Sequence, residues 1–143
     1  MNHTTTTNHY VIMAIIMIIA SLLSTMNIWA DKLSDIRLSI NDIYMALLMT
    51  GWMFLLMGLV YKELHIAIIG ALFVIGSIWA IRTQLLVSET QYLYGMIPHH
   101  SMAIHMSKKL LEKPNMIQPL LSNIIQSQEK EIHFMKAYQA SKN

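Results

Sequence analysis

Long apolar runs dominate the first part of the chain. Three stretches, at 10–30, 43–61 and about 64–81, contain no Asp, Glu, Lys or Arg. Each approaches the roughly 20 residues that a helix needs to cross about 30 Å of hydrocarbon. Because backbone polar groups must be satisfied internally there, the pattern predicts three membrane-spanning helices. The first run is longer than the apolar core of a signal peptide and follows no Lys or Arg, which favours a retained span.

Short polar segments connect the predicted spans. The first connection covers 31–42, and the second is a tight turn at 62–63. An odd number of spans places the two ends of the chain on opposite faces of the membrane. Three basic residues near the membrane lie on the C-terminal face and one lies on the other face. By the positive-inside rule, this count favours a cytoplasmic C-terminal segment.

Beyond residue 82, apolar residues recur at helical spacing with charges between them. The pattern predicts two helices, at 88–113 and 115–140, because Pro114 disfavours a helical residue before it. Pro98 interrupts the first helix, which either restarts there or kinks. The predicted fold class is all-α, with three transmembrane helices followed by an antiparallel helical hairpin. The predicted domains are a polar N-terminal tail (1–9), a three-span transmembrane region (10–82) and a helical-hairpin domain (83–143).

Each apolar face of the predicted hairpin carries polar side chains. They are His99 and His100 on the first helix, and Gln128 and Glu131 on the second. Folding the helices about the turn brings the two imidazoles to the level of Gln128 and places Met96 opposite Glu131. Burying such groups costs roughly 1–3 kcal/mol each unless they find partners. The cluster is therefore either a metal site or a hydrogen-bond network at a helix interface, and the spacing leaves both open.

The amino-acid composition limits the class of protein and the kinds of site that the chain can form. The chain of 143 residues is 55% hydrophobic and only 13% charged, which is typical of a membrane protein rather than a soluble domain. Without cysteine it has no disulfide, thiolate zinc site or cysteine nucleophile. The net charge of +2, without a basic aromatic stripe, argues against nucleic acid as a partner. The 13 Met and 7 His residues favour copper, since thioethers select Cu(I) and imidazole also binds it.

Two spaced motifs between residues 90 and 138 carry a family resemblance. The first reads Met96-Ile97-Pro98-His99-His100, then Ala103 and Met106, and the second reads Leu121, Ile124-Ile125, Gln128, Glu131-Ile132, Met135 and Tyr138. Together they resemble the signature of domain-of-unknown-function family 305, approximately M-I-P-H-H-x-x-A-x-x-M and then L-A-x-x-I-I-x-x-Q-x-x-E-I-x-x-M-x-x-W. The chain departs from that signature at Ser122 and Tyr138.

The resemblance implies a fold, a ligand and a location. The family fold is a ferritin-like four-helix bundle, of which this hairpin would be half, and some members are periplasmic or membrane-associated copper-binding proteins. By resemblance we expect the hairpin on the extracytoplasmic side, against the charge count. Carried onto this chain, the resemblance implies metal ligands at Met96, His99, His100, Met106, Gln128, Glu131 and Met135.

These observations together predict a function and its partners. We expect a multi-pass membrane protein that binds copper, preferably Cu(I), for sequestration or handover, with no catalytic residue. The alternative is a structural or accessory membrane subunit whose His/Gln/Glu cluster is a hydrogen-bond network. A lone two-helix hairpin has too little core to be stable unaided, so we expect a homo-oligomer formed through the hairpin and the spans. The expected partners are membrane lipid and a copper donor or acceptor protein.

Overall fold

Five helices make up the computed structural model, which describes residues 3–142 and the side chains of residues 8–142. They are α1 (His3–Leu23), α2 (Ile40–Val60), α3 (Leu64–Thr83), α4 (Glu89–Leu111) and α5 (Gln118–Ser141). Two short 3-10 helices, Met26–Trp29 and Leu33–Asp35, lie between α1 and α2. No strand occurs among the described residues, and the predicted all-α class is confirmed.

The helices form two units. The first contains α1, α2 and α3, and the second contains α4, α5 and the segment 26–39. The sequence alone did not predict that this segment, which connects two predicted spans, associates with the last two helices. The boundaries 1–9, 10–82 and 83–143 stay predictions.

Three stretches are long and apolar enough to cross a membrane by length and composition: Asn8–Trp29, Ile40–Val60 and Leu64–Thr83. The first differs from the predicted span, because α1 begins earlier and ends at Leu23, and the remaining apolar residues form the 3-10 helix. Most of their large apolar side chains are exposed, as helices facing lipid require.

Small residues bring α2 and α3 into close contact. A Cβ added at Gly58 would lie 2.3 Å from the backbone nitrogen of Ala67, and one at Gly70 would lie 2.2 Å from that of Leu55. Such backbone approach is how membrane helices gain van der Waals contact when lipid competes for their apolar faces. Ala67 takes part in this contact, whereas a Cβ added at Gly76 would meet nothing within 4 Å.

Apolar residues join α4 to α5 in the second unit. Ile97, Ile104, Ile132 and Met135 form the buried cluster between the two helices. The hydroxyl of Tyr138, near the end of α5, donates to the carboxylate of Glu89 at the start of α4 over 3.2 Å. This contact between the end of α5 and the start of α4 shows that the two helices are antiparallel.

Local chemistry explains where α4 begins and where the turn lies. The Ser88 hydroxyl accepts the backbone N–H of Gln91 at 3.3 Å and caps the first turn of α4. The helix then runs through Pro98 without a restart. It ends at Leu111, and α5 begins three residues later than predicted, with a proline in its first turn. The connecting turn at 112–117 is therefore longer than the predicted one.

The segment 26–39 closes on itself. The Asn27 side chain donates to the carbonyl of Arg37 at 2.7 Å and accepts the Arg37 backbone N–H at 3.0 Å. The closed segment contacts α4, where the carboxylate of Asp31 accepts from Lys108 at 2.8 Å. Lys108 lies in the last turn of α4, where the helix dipole also favours a cation.

Candidate functional site

A groove of about 450 Å³ lies between α4 and α5. Four of the seven predicted metal ligands line it: Met96, His100, Glu131 and Met135. They come from both helices, two from each, because residues spaced by four on α4 and on α5 share a helix face. Tyr92, Lys130 and Phe134 complete the lining.

His100 is buried, with 9% of its side chain exposed. Its Nδ1 lies 2.8 Å from the carbonyl oxygen of Met96, one turn earlier on the same helix. A carbonyl only accepts hydrogen bonds, so Nδ1 carries the proton and donates it. Its Nε2 lies 2.6 Å from Oε2 of Glu131, so these two atoms share a proton, and a metal ion at Nε2 would replace that proton.

Glu131 supplies a negative charge at the groove. Its second oxygen, Oε1, accepts from the Ser127 hydroxyl at 3.0 Å. The hydrogen bond with His100, and then that with Ser127, lowers the pKa of the Glu131 carboxyl. The carboxylate is therefore ionised at neutral pH, although 53% of its side chain is exposed. It can orient the imidazole or coordinate a cation itself.

The two methionines differ in exposure. Met135 is buried and belongs to the apolar cluster between the helices, whereas Met96 is partly buried against that cluster. A thioether is a flexible, polarizable ligand that suits Cu(I). One imidazole nitrogen, two thioethers and one carboxylate can therefore hold a soft monovalent cation. Their chemistry fits copper better than a hard divalent ion.

Three predicted ligands do not line the groove. His99 is exposed, with its ring centre 6.1 Å from that of His100, and Met106 is 52% exposed. Gln128 is partly buried, and its Oε1 has no hydrogen-bond partner within the part of the chain that the structure describes. Among the described residues, no three His, Asp or Glu side chains converge to hold a metal ion.

The predicted fold places Met96 opposite Glu131, and in the structure both line the groove. The Glu131 carboxylate itself contacts His100, one turn further along α4. Sequence reasoning also missed Lys130 and Phe134 in the lining. Lys130 and Phe134 are four residues apart, as Glu131 and Met135 are, and this spacing places each pair along one side of α5.

The fold and groove define a class of protein: an all-helical chain with three long apolar helices and a His/Glu pair between its last two helices. The family model for "Domain of unknown function (DUF305)" matches residues 80–139. An uncharacterized protein, L153, of Acanthamoeba polyphaga mimivirus is 45% identical over 136 residues, which cover 88% of each chain. This protein belongs to the DUF305 family. No solved structure matches it.

Proposed function

We propose that this protein is a membrane-anchored copper-binding protein that sequesters Cu(I) or hands it to a partner. The groove between α4 and α5 is the proposed binding site. Met96, His100 and Met135 would hold the ion, and Glu131 would complete its coordination or orient the imidazole. Copper is the cargo in this account, and the protein performs no chemistry on it.

The observation that carries the proposal is the fixed orientation of the His100 ring, with Nδ1 on a backbone carbonyl and Nε2 at the groove. Metal-binding histidines commonly bond one ring nitrogen to a carbonyl or carboxylate, which leaves the other nitrogen oriented for the metal. Here the Met96 carbonyl holds Nδ1 at 2.8 Å, while Nε2 lies beside Glu131 at the groove. Two thioethers line the same groove, which adds the soft ligands that favour Cu(I).

The proposal includes a location and an assembly. Three crossings by α1, α2 and α3 would place the N-terminus and the α4–α5 unit on opposite faces of the membrane. We place the α4–α5 unit on the extracytoplasmic side, in contact with a copper donor or acceptor protein. We also propose a homo-oligomer, in which a second copy adds two helices beside the small cluster of four buried apolar residues.

The adjacent histidines provide a matched test. We expect His100→Ala to lose high-affinity Cu(I) binding, because it removes the oriented nitrogen, and His99→Ala to bind as the wild type does. Competition with a chromophoric Cu(I) chelator, on the full chain in mild detergent, measures both variants. Equal losses in the two variants, or none in either, would contradict the proposed site.

A second candidate function rests on the hydrogen bonds of His100. Both of its ring nitrogens have partners, as in a network that fixes a helix interface in a structural or accessory membrane subunit. In that case the wild type would carry no copper after purification. His100→Ala would then lower thermal stability, since Glu131 would lose its partner beside the buried cluster.

A further inference from the structure

A buried carboxylate connects the segment 26–39 to both helices of the groove. Asp35, at the end of the second 3-10 helix, is only 2% exposed. Its Oδ2 accepts from the hydroxyl of Ser101 on α4 at 2.7 Å, and its Oδ1 forms an ion pair with Lys136 on α5. One side chain therefore links three parts of the chain.

Ser101 is itself fully buried and bonded twice. Its hydroxyl accepts the backbone N–H of Asp31 at 2.8 Å while it donates to Asp35. Leaving a buried polar group without partners is unfavourable, so these bonds strongly favour one placement of the segment against α4. The link also differs from an exposed ion pair, because the Asp35 end of its pair with Lys136 lies out of solvent.

The two linked residues directly follow two residues of the groove. Ser101 comes after His100 on α4, and Lys136 comes after Met135 on α5. Successive residues of an α-helix project about 100° apart, so holding one residue sets the direction of its neighbour. Tying Ser101 and Lys136 to a common carboxylate therefore limits rotation of both helices about their axes.

We propose that Asp35 is a positioning residue for the groove: it holds the residue after each of two lining side chains and so sets which way both helices face. The consequence for copper rests on the proposed function, whereas the consequence for the His100 ring does not. Asp35 touches no residue of the groove lining directly. It acts through the two helices that it holds.

The test compares Asp35→Asn with Glu112→Gln in the full chain in mild detergent. Glu112 is a matched control because it also lies in the second unit, pairing with Lys109 at an exposed site where both side chains are 60% accessible. The first measurement is the ring N–H resonance of His100 in metal-free protein labelled with nitrogen-15 histidine. The second is Cu(I) affinity by chelator competition, with helix content followed by circular dichroism.

We expect Asp35→Asn to lose or broaden the His100 resonance and to bind Cu(I) about tenfold or more weakly, with helix content unchanged. Glu112→Gln should match the wild type in all three measurements. Lys136→Gln, which keeps the Asp35–Ser101 bond, should shift both readouts in the same direction by a smaller amount. If Asp35→Asn fails to fold, Lys136→Gln tests the positioning role in its place.

A folded Asp35→Asn or Lys136→Gln variant that keeps both the resonance and the affinity of the wild type would overturn the positioning role. If the wild type binds no Cu(I), the proposed function fails, and the His100 resonance alone decides the role of Asp35. If the wild type and Asp35→Asn bind Cu(I) equally tightly and the His100 resonance is unchanged, the proposed function stands and the positioning role of Asp35 fails.

Discussion

His100 is prepared for its proposed role by a bond within its own helix. The Met96 carbonyl is in reach of Nδ1 because residues four apart lie on one face, so the ring is oriented from within α4. The other nitrogen is left for Glu131, whose pKa is lowered by that contact. His99 has the same chemistry but projects to solvent, and only one of two adjacent histidines can face the groove.

The methionines allow a direct test of which thioethers matter. Met96→Leu keeps an apolar side chain of similar volume but removes a proposed ligand, so Cu(I) affinity should fall at least about tenfold. Met106→Leu is the control, because Met106 is 52% exposed and does not line the groove. Chelator competition compares the two, and a loss confined to Met106→Leu would move the site away from the groove.

The sequence predicts which residue types form the site, but only some of the predicted ligands line the groove. The helical stripes bring Met96, His100, Glu131 and Met135 to one interface, and all four line the groove. His99 and Met106 share the broad face on a wheel, yet they are exposed, since a face of that width exceeds what one partner helix covers. The contact of His100 with Glu131 depends on the turn length, which pattern alone leaves open by several residues.

Close backbone contact is what holds α2 against α3. The glycines at this contact have no room for a Cβ, since the nearest atoms are backbone rather than flexible side-chain ends. Small residues four apart in the sequence, Ala67 with Ala71 and Gly76 with Ala80, allow such contact but do not say which pair makes it. Ala67 lies at the contact, whereas Gly76 faces open space, because only one stripe of α3 can face α2.

Alanine substitutions at Gly58 and Gly76 compare a glycine in the α2–α3 contact with one that faces open space. Gly58→Ala places a methyl group against the backbone of Ala67 and should destabilise the helix pair by about 1–3 kcal/mol, as overpacking does. Gly76→Ala should be neutral or slightly stabilising, since alanine is the better helix former and has space there. Unfolding in mixed micelles measures both. A neutral Gly58→Ala would show that the two helices do not approach so closely.

The link between the segment 26–39 and the last two helices should make stability depend on pH. Burial alone would raise the pKa of Asp35. The hydrogen bonds from Lys136 and Ser101 and the nearby lysine charges lower the pKa by a larger amount, so the net shift is downward. A carboxyl whose pKa is lower in the folded state stabilises that state above its unfolded pKa of about 4, and this contribution is lost as pH falls below that value.

Thermal unfolding followed between about pH 6 and pH 3 tests this dependence. We expect the midpoint to fall as acid protonates Asp35, and the fall to be shallower in Asp35→Asn, which has no charge to lose there. Glu89 and Glu131 also have lowered pKa values, so some dependence should remain in the variant. Identical profiles for the two proteins would mean that Asp35 contributes no pH-linked stability.

Considered whole, the molecule combines an apolar unit with a polar one. The sequence predicts the first from uninterrupted apolar runs, and it predicts α4 and α5 from periodicity. It does not predict that residues 26–39 belong with α4 and α5, because a short polar connection carries no periodic signal for its partner. That association depends on specific tertiary bonds, such as those of Asp31 and Asp35 with Ser101.

The absence of cysteine makes membrane topology directly testable. Met116, in the turn between α4 and α5, is 99% exposed, and Lys62 is exposed in the turn between α2 and α3. With three crossings these positions lie on opposite faces, so an impermeant maleimide on intact cells should label Met116→Cys. Lys62→Cys should label only after permeabilisation. Labelling of both variants from one face would contradict three crossings, and the reverse pattern would contradict the proposed side.

The coordination of bound copper is the most direct test of the central claim. X-ray absorption at the copper edge, measured on the full wild-type chain loaded with Cu(I) in mild detergent, distinguishes sulfur from nitrogen and oxygen ligands. Copper held by Met96, Met135 and His100 predicts one ion per chain with both sulfur and nitrogen scatterers. Copper bound only through nitrogen and oxygen, or no copper retained after removal of excess metal, would contradict a site in the groove between α4 and α5.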